Sequence, residues 1–221
     1  MQIREVFDRR RFVLLDGGMG TQLQSRGLQP GEKPELAALT MPDTLTAIHR
    51  DYAAAGADIL LANTFGANAK KLAGCGYTLQ QVIQASLACA RTAARETGAL
   101  VGLDIGPLGE LLAPAGTLAF ADAYDRFAEV IRLGAEAGAD LVFLETMTDL
   151  YELKAAILAA KENCTLPVFT SMSFEARGRT FTGCTVESFA ATARGLGANA
   201  VGINCSLGPK EIFPMAKRLA E

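Results

Sequence analysis

Two carboxylates in the sequence lie where an apolar run meets polar residues. Asp16 follows the run Phe12–Leu15, and Glu145 ends the run Leu141–Glu145. Each carboxylate therefore faces a partly dehydrated environment, in which an unpaired negative charge is costly and a cationic partner is expected. That partner is either the ammonium group of a ligand or a loop Arg or Lys, and a helix cap is a third way to satisfy the group.

A glycine-rich segment follows the first of these carboxylates. Gly17–Thr21 leads into a short helical stretch, and successive backbone N–H groups at a helix start can hold a carboxylate. An acid pair for an ammonium group and an amide nest for a carboxylate together fit an α-amino acid. The sequence therefore predicts an amino-acid site that includes Asp16, Glu145 and this segment.

One cysteine is a candidate metal ligand or nucleophile. Cys205 lies at the tip of the apolar run Ala200–Asn204, although a small buried hydrophobic residue is an equally ordinary role for cysteine. One thiolate does not make a zinc site, because Zn²⁺ takes three or four protein ligands. The other cysteines are scattered in predicted helices and loops and do not supply those ligands convincingly: Cys75, Cys89, Cys164 and Cys184.

The only histidine is a poor candidate for acid–base catalysis. His49 lies in the middle of a predicted helix, in the run Ala47–Arg50. We interpret it as a surface or packing residue rather than a catalyst. Chemistry that depends on an imidazole is therefore not supported by the sequence.

The elements that position these residues alternate along the chain. Nearly continuous apolar runs indicate parallel strands that are buried on both faces. Alanine-rich helical patterns lie between them, and most end at a glycine, a common helix stop signal. The predicted strands are Phe12–Leu15, Asp58–Ala62, Leu100–Asp104, Leu141–Glu145, Pro167–Met172 and Ala200–Asn204. The predicted helices are Thr44–Ala55, Leu79–Thr97, Ala121–Ala137, Leu150–Glu162, Val186–Leu196 and Pro209–Glu221.

This alternation predicts an α/β fold, and two architectures compete for it. A doubly wound sheet normally carries a GxGxxG turn after its first strand, but here Leu23 occupies the third glycine position after Gly18 and Gly20. A (β/α)8 TIM-type barrel better explains the regular spacing and the polar residue at each strand end, where such barrels carry their active sites. Six strands are predicted instead of eight. We therefore expect residues 1–221 to be one incomplete barrel domain that lacks strands seven and eight.

The overall composition excludes several classes of partner. The chain has 21 basic and 24 acidic residues in 221, and no basic run is longer than Arg9–Arg11. Nucleic acid and anionic membrane surfaces are therefore unexpected partners. The N-terminal apolar stretch is too short for a signal peptide, so we expect a soluble, cytoplasmic protein with free thiols.

Several segments, taken in order, resemble the homocysteine S-methyltransferase family. The similarity covers essentially the whole chain and is greatest to the homocysteine-binding domain of the cobalamin-dependent methionine synthase branch. Each motif alone is weak, whereas five in register are specific. The segments are Leu15–Thr21, Gly56–Asp58 leading into Asn63–Ala67, Asp104–Pro107, Phe143–Thr146 and Gly202–Pro209.

The resemblance implies an activity and a set of site residues. The activity is methyl transfer to the zinc-activated thiol of L-homocysteine, giving methionine, with methylcobalamin and methyltetrahydrofolate handled by other domains of a larger protein. Cys205 matches a zinc ligand, but the family's Gly-Gly-Cys-Cys motif, which supplies the other two, does not occur here. The substrate-binding residues that the resemblance implies are Asp16, Gly17, Gly18, Gly20, Asn63 and Glu145.

Other readings stay open at this point. A homocysteine methyltransferase that uses S-methylmethionine or betaine is one, and a non-catalytic fragment of such a barrel is another. An unrelated aldolase-type or phosphate-binding barrel is disfavoured, because no predicted strand contains a lysine. With one of three zinc ligands present, we expect the 221-residue chain alone to be inactive.

Overall fold

A computed structural model of the chain describes residues 7–8 and 12–221. They form two compact units: Met1–Asp104 with Arg132–Leu141 is the first unit, and Ile105–Ile131 with Val142–Glu221 is the second. The described helices are α1 (Met19–Ser25), α2 (Ala37–Thr40), α3 (Pro42–Ala54), α4 (Leu79–Thr97), α5 (Phe120–Glu136), α6 (Leu150–Asn163), α7 (Val186–Gly195) and α8 (Pro209–Ala220), with a 3-10 turn at Pro34–Leu36. The described strands are β1 (Ile59–Leu61), β2 (Leu100–Ile105), β3 (Leu141–Met147), β4 (Val168–Met172) and β5 (Ala200–Ile203).

The alternation of strands and helices confirms the α/β class. Helix α4 has the predicted bounds, because a capping box of Thr78 and Gln81 starts it and Gly98, in the left-handed conformation, ends it. Every residue of β2 and of β4 is buried, as expected for strands of a parallel sheet covered on both faces.

One predicted strand is wrong as a strand. In Phe12–Leu15, only Leu15 forms a parallel bridge, with Ile59, among the described residues. Pairing continues weakly through the Leu14 carbonyl, which accepts hydrogen bonds from the backbone N–H groups of Asp58 and Ile59. The run stays exposed, with Phe12 at 70% and Leu14 at 54%, so it lacks the two-sided cover that its apolar composition predicts.

The first unit pairs its strands in parallel beneath a helical layer. Strand β1 pairs with β2, with Leu60 opposite Val101. Helices α3 and α4 pack beside them around a buried apolar cluster. This cluster contains Leu23, Leu28, Ala37, Ala38, Leu45, Ile48 and Cys89. Cys89 is thus a packing residue of this unit.

The second unit contains three parallel strands in chain order. Strand β4 pairs with β3 on one side and β5 on the other, so Phe169 lies opposite both Phe143 and Ala200. The register of β3 shifts between Leu144 and Met147, and the two residues between them are Glu145 and Thr146. The carboxyl ends of the three strands therefore meet at one edge, with an irregularity at the predicted site residue.

A repeated turn fixes the start of several strands. After a glycine with positive φ comes Ala and then Asp or Asn, and this third residue accepts a hydrogen bond from a backbone N–H of the neighbouring segment. Asp58 accepts from Leu14 at 3.0 Å, Asp140 from Val101 at 2.7 Å and Asn199 from Val168 at 2.8 Å. The repeated Gly-Ala-Asp of the sequence is therefore a device for holding parallel neighbours in register.

No helix in the described part of the chain combines the length and the apolar composition that a bilayer crossing needs.

This turn predicts the effect of removing its carboxylate. Asp140→Ala should lower the free energy of unfolding by about 1–3 kcal/mol, because it leaves the buried Val101 N–H without that acceptor. Asp140→Asn should retain most of the stability, since Asn199 performs the same role with an amide oxygen. Urea denaturation of the three proteins measures this, and equal losses in both variants would contradict the assignment.

Candidate functional site

The polar residues at the strand ends form two clusters, one in each unit. The Asp16 cluster, in the first unit, comprises Asp16, Gly18, His49 and Tyr52. The Asn204 cluster, in the second unit, comprises Glu145, Thr146, Ser171, Asn204 and Cys205.

Asp16 is held by backbone and aromatic neighbours. Its side chain is only 3% exposed, and its Oδ2 accepts a hydrogen bond of 2.9 Å from the backbone N–H of Leu61. Oδ2 also lies 3.9 Å from Nδ1 of His49. The carboxylate is thus fixed at the end of β1 in a nearly dry position, as the sequence predicted from the preceding apolar run.

His49 is more deeply buried than the sequence alone predicted. It is fully buried in α3, and neither ring nitrogen has a hydrogen-bond partner among the described residues. Burial lowers the pKa of His49 from 6.5 to about 4. The Asp16 carboxylate favours the protonated ring, but 3.9 Å is beyond hydrogen-bond distance and desolvation outweighs it. The ring is therefore neutral at pH 7. The packing role is confirmed and the surface position is wrong.

The glycine segment is shaped by Tyr52. The hydroxyl of Tyr52 donates a 3.0 Å hydrogen bond to the carbonyl of Gly18, directly before α1. A Cβ on Gly17 would lie 3.0 Å from the Tyr52 ring, so a side chain at that position would displace it. Gly20 has open space around it. Tyr52 can therefore approach the backbone at Gly17 closely because this residue is a glycine.

Asn63 lies in the first unit but is engaged elsewhere. Its Nδ2 donates a 2.6 Å hydrogen bond to the carbonyl of Pro34, and its own carbonyl accepts from Ser86. Asn63 is 7% exposed. These contacts tie the end of β1 to the 3-10 turn and to α4, so the side chain has a structural partner in addition to any role in binding.

Glu145 lies half-buried near the end of β3. Burial raises the pKa of its carboxyl above the ordinary value. Its Oε2 accepts a hydrogen bond of 3.2 Å from Nδ2 of Asn204, and no Lys or Arg of the described residues forms an ion pair with it. A salt bridge to a loop Lys or Arg was the other expected partner of this carboxylate, and it is not found for Glu145 among the described residues. The carboxylate is stabilised by a neutral donor and keeps its negative charge available to a cation.

Asn204 connects most of the second cluster. Its Oδ1 accepts from the hydroxyl of Ser171 at 2.9 Å, and its Nδ2 donates to Thr146 Oγ1 at 2.7 Å and to Glu145. Ser171 Oγ in turn accepts from the backbone N–H of Thr146 at 3.2 Å. Three parallel strands, β3, β4 and β5, thus contribute to one hydrogen-bond network.

Backbone strain is concentrated in the same cluster. Thr146, Cys205 and Ser206 have φ of 57°, 58° and 57°, and they are the only non-glycine residues with positive φ in the described chain. The left-handed region is costly for residues with a Cβ, most of all for a β-branched threonine, and such strain is often found at functional sites. The three residues lie directly after Glu145 and Asn204, where the strands end.

Cys205 is exposed at the end of β5, so the interpretation as a buried hydrophobic residue is wrong. Its Sγ lies 3.7 Å from Thr146 Oγ1 and 3.5 Å from Asn204 Nδ2. A thiolate is a good zinc ligand. However, no group of three or more His, Cys, Asp or Glu side chains in the described residues could hold a metal ion. The residues present therefore do not fit a complete zinc site.

Comparison with known proteins assigns the family. The family model described as homocysteine S-methyltransferase matches residues 13–221. This chain belongs to the homocysteine S-methyltransferase family. The methionine synthases of Mycobacterium tuberculosis and Mycobacterium leprae are each 32% identical to it, over 96% of the chain. The chain spans about a fifth of the length of these relatives, 19% in each case.

Solved structures share the fold of this family member. The apo form of the Escherichia coli homocysteine methyltransferase MmuM matches with a TM-score of 0.78 and 22% identity, covering 95% of this chain and 77% of that one. Its metallated form also has a TM-score of 0.78, with 19% identity, covering 98% and 99%. At these identities the match shows the fold alone, and it supports the (β/α)8-type class that the sequence predicted.

In this member of the homocysteine S-methyltransferase family, each unit contains part of the predicted residue set. The first holds Asp16, the glycines and Asn63, and the second holds Glu145 and Cys205. Sequence reasoning missed Thr146 and Ser171 as partners, and it used Asn204 only as a strand end. Thr146 could have been found as the polar residue that directly follows Glu145, whereas Ser171 lies inside β4 and carries no such signal.

The buried histidine predicts a pH-dependent stability. The C2 proton of His49, the only histidine, should titrate in NMR spectra of the folded protein with a midpoint near pH 4. The unfolded chain takes up this proton near pH 6.5, so the free energy of unfolding should fall by about 3 kcal/mol from this group as the pH is lowered from about 6.5 to about 4. His49→Phe should lack that part of the slope. A folded-state midpoint near 6.5 would contradict the burial argument.

Proposed function

We propose that this chain binds L-homocysteine and presents its thiol for methyl transfer, as the homocysteine-binding part of a larger methionine synthase. The observation that carries the proposal is Glu145, a half-buried carboxylate without an ion-pair partner among the described residues, at a strand end beside Cys205. Family membership supplies the substrate class. The length of the methionine synthase relatives is consistent with further domains in the whole protein.

The ammonium group of the substrate suits the Glu145 carboxylate. A raised pKa indicates that the environment of Glu145 disfavours its negative charge, and an arriving ammonium compensates that cost. Asp16, a carboxylate of the first unit, also belongs to the proposed substrate-binding set, since its side chain is 3% exposed and held by the Leu61 N–H. The proposal requires Glu145 to be ionised, so substrate binding weakens as pH falls through its pKa.

The substrate carboxylate suits the backbone around Gly17, Gly18 and Gly20. These three glycines are exposed, so a ligand can approach the backbone of this segment. Asn63 completes the proposed substrate-binding set, through its position at the end of β1. A carboxylate for the ammonium group and backbone N–H groups for the carboxylate are the two kinds of contact that an α-amino acid requires.

Methyl transfer forms one bond and breaks another. The sulfur of homocysteine attacks the methyl carbon, an S–C bond forms, the bond between donor and methyl breaks with its electron pair leaving on the donor, and the thiol proton passes to solvent. Cys205 is proposed as one protein ligand of the zinc ion that the family uses to activate thiols. Because the described residues do not complete that site, no step of the reaction is assigned to zinc here.

The methionine synthase relatives support a proposal for the methyl donor and the cellular context. We propose methylcobalamin as the donor, with cobalamin and methyltetrahydrofolate bound by other domains of the full protein. The structural likeness to a homocysteine methyltransferase that covers 99% of that protein's chain keeps a donor such as S-methylmethionine or betaine as the second candidate. Five free cysteines suit a reducing compartment, and the proposed location is cytoplasmic.

The proposed amino-acid site predicts a charge-specific loss of binding. Glu145→Gln should weaken L-homocysteine binding about tenfold or more, because the neutral amide cannot compensate the ammonium charge. Glu129→Gln, which neutralises an exposed carboxylate on α5, is the matched control and should bind normally. Isothermal titration calorimetry under reducing conditions measures both. Equal affinity in Glu145→Gln and the unmodified protein would reject the proposed role.

The incomplete ligand set predicts weak metal binding by these 221 residues. A zinc titration followed by metal analysis after gel filtration should show no tight one-to-one complex, since Cys205 has no partner ligands among the described residues. Cys205→Ser should behave in the same way. Tight stoichiometric zinc that is lost in Cys205→Ser would contradict this reading. In the full-length enzyme, zinc-dependent methyl transfer that persisted in Cys205→Ala would contradict the assignment of Cys205 as a ligand.

A further inference from the structure

We propose that Asn204 is a positioning residue that fixes the Glu145 carboxylate for the ammonium group of the substrate. This inference rests on the proposed function and deepens it, because it assigns the residue that sets how the substrate's amino end is recognised. The inference is carried by the hydrogen-bond network that joins Asn204 to β3 and β4.

Ser171 determines the orientation of the Asn204 amide. Ser171 is 2% exposed, and its Oγ accepts the hydrogen bond from the Thr146 backbone N–H, so its hydroxyl proton is free to point elsewhere. It donates that proton to Asn204 Oδ1 at 2.9 Å. Flipping the amide would place two donors face to face. The network therefore fixes the Nδ2 group on the side of Glu145.

The Nδ2 group of Asn204 has two hydrogens. The oxygen acceptors within their reach are Thr146 Oγ1 at 2.7 Å and Glu145 Oε2 at 3.2 Å, and the weaker acceptor Cys205 Sγ lies at 3.5 Å. Only Oε2 of the carboxylate is engaged in this way, and Oε1 has no hydrogen-bond partner among the described residues. Asn204 therefore fixes the rotation of the Glu145 carboxylate and leaves one oxygen for an ammonium group.

The Asn204 side chain is uncharged, which matters for a carboxylate that binds a cation. An asparagine is a neutral donor, so it can orient a carboxylate without cancelling its charge. A lysine or arginine at the same position would form an ion pair with Glu145 and compete with a cationic ligand. An aspartate would repel it. Asn204 is thus suited to a carboxylate that must remain negative until a ligand binds.

The Asn204 amide also supports a strained part of the backbone. Thr146 is held in the left-handed region, which is unfavourable for a residue other than glycine. Its hydroxyl accepts from Asn204 and its N–H donates to Ser171, so this network satisfies the hydroxyl and the N–H of the strained residue. Thr146 directly follows Glu145 in the chain. Holding Thr146 therefore also restrains the backbone from which the Glu145 side chain extends.

A purely structural role for Asn204 predicts a different result from a positioning role. We suggest measuring the dissociation constants of two ligands, L-homocysteine and 4-mercaptobutanoate, which has the same thiol and carboxylate but no amino group. The unmodified chain should prefer homocysteine, and Glu145→Gln should remove the preference. Asn204→Ala should weaken homocysteine binding about tenfold and change 4-mercaptobutanoate binding by less than about twofold.

A matched asparagine at the other end of β5 provides the control. Asn199 accepts a hydrogen bond from the Val168 N–H, and Asn199→Ala should lower the melting temperature while the ratio of the two dissociation constants stays unchanged. If Asn204→Ala does not fold by circular dichroism, Asn204→Ser replaces it, because a serine hydroxyl is too short to bridge to Glu145.

The outcomes separate the two proposals. No preference for homocysteine in the unmodified chain, with no effect of Glu145→Gln, would overturn the proposed function and the inference together. A preference that depends on Glu145 but survives in Asn204→Ala, or in Asn204→Ser where that variant is used, would overturn the inference alone. The same holds if the substitution weakens both ligands equally. Selective loss of homocysteine affinity supports the positioning role.

Discussion

Parallel pairing in register is the constraint on which the rest of the structure depends. In the second unit, Met172 lies opposite Met147 on one neighbouring strand and Ile203 on the other, so β3, β4 and β5 end at the same level. The residues that follow these strands are then close enough to share hydrogen bonds. Asn204 bonds to residues of both β3 and β4 for this reason. The Gly-Ala-Asp and Gly-Ala-Asn turns maintain the register by holding a strand's first N–H groups.

The sequence predicted the elements well where local signals agree. Helix α4 matches its predicted bounds because a capping box and a C-terminal glycine lie at its two ends. The apolar runs that became β2 and β4 are buried throughout. Phe12–Leu15 has the same composition, yet it forms one bridge and stays exposed. Composition reports what a segment could bury, and only tertiary structure determines whether another segment covers it.

The site was predictable residue by residue but not as a network. Glu145 and Cys205 could be predicted as site residues because each lies at the end of an apolar run. Such a position lies at the carboxyl edge of any parallel sheet. Ser171 could not be chosen in this way, since a serine inside a buried strand has no distinctive spacing. Its role comes from the side-by-side pairing of β3 with β4. His49 was undervalued for a related reason: its full burial depends on how α3 packs, which its helical position does not reveal.

The Asn204 cluster combines features that each lower stability and together suit a binding site. It contains a carboxylate whose burial disfavours its charge and two residues, Thr146 and Cys205, in the left-handed region. Natural proteins keep such features where function requires them, since ordinary strand ends can avoid both. Because Asn204 and Cys205 are adjacent in sequence, the amide that orients Glu145 and the thiol proposed as a metal ligand share one strained turn. A change in this turn is therefore expected to move the proposed amino-group site and the proposed metal ligand together.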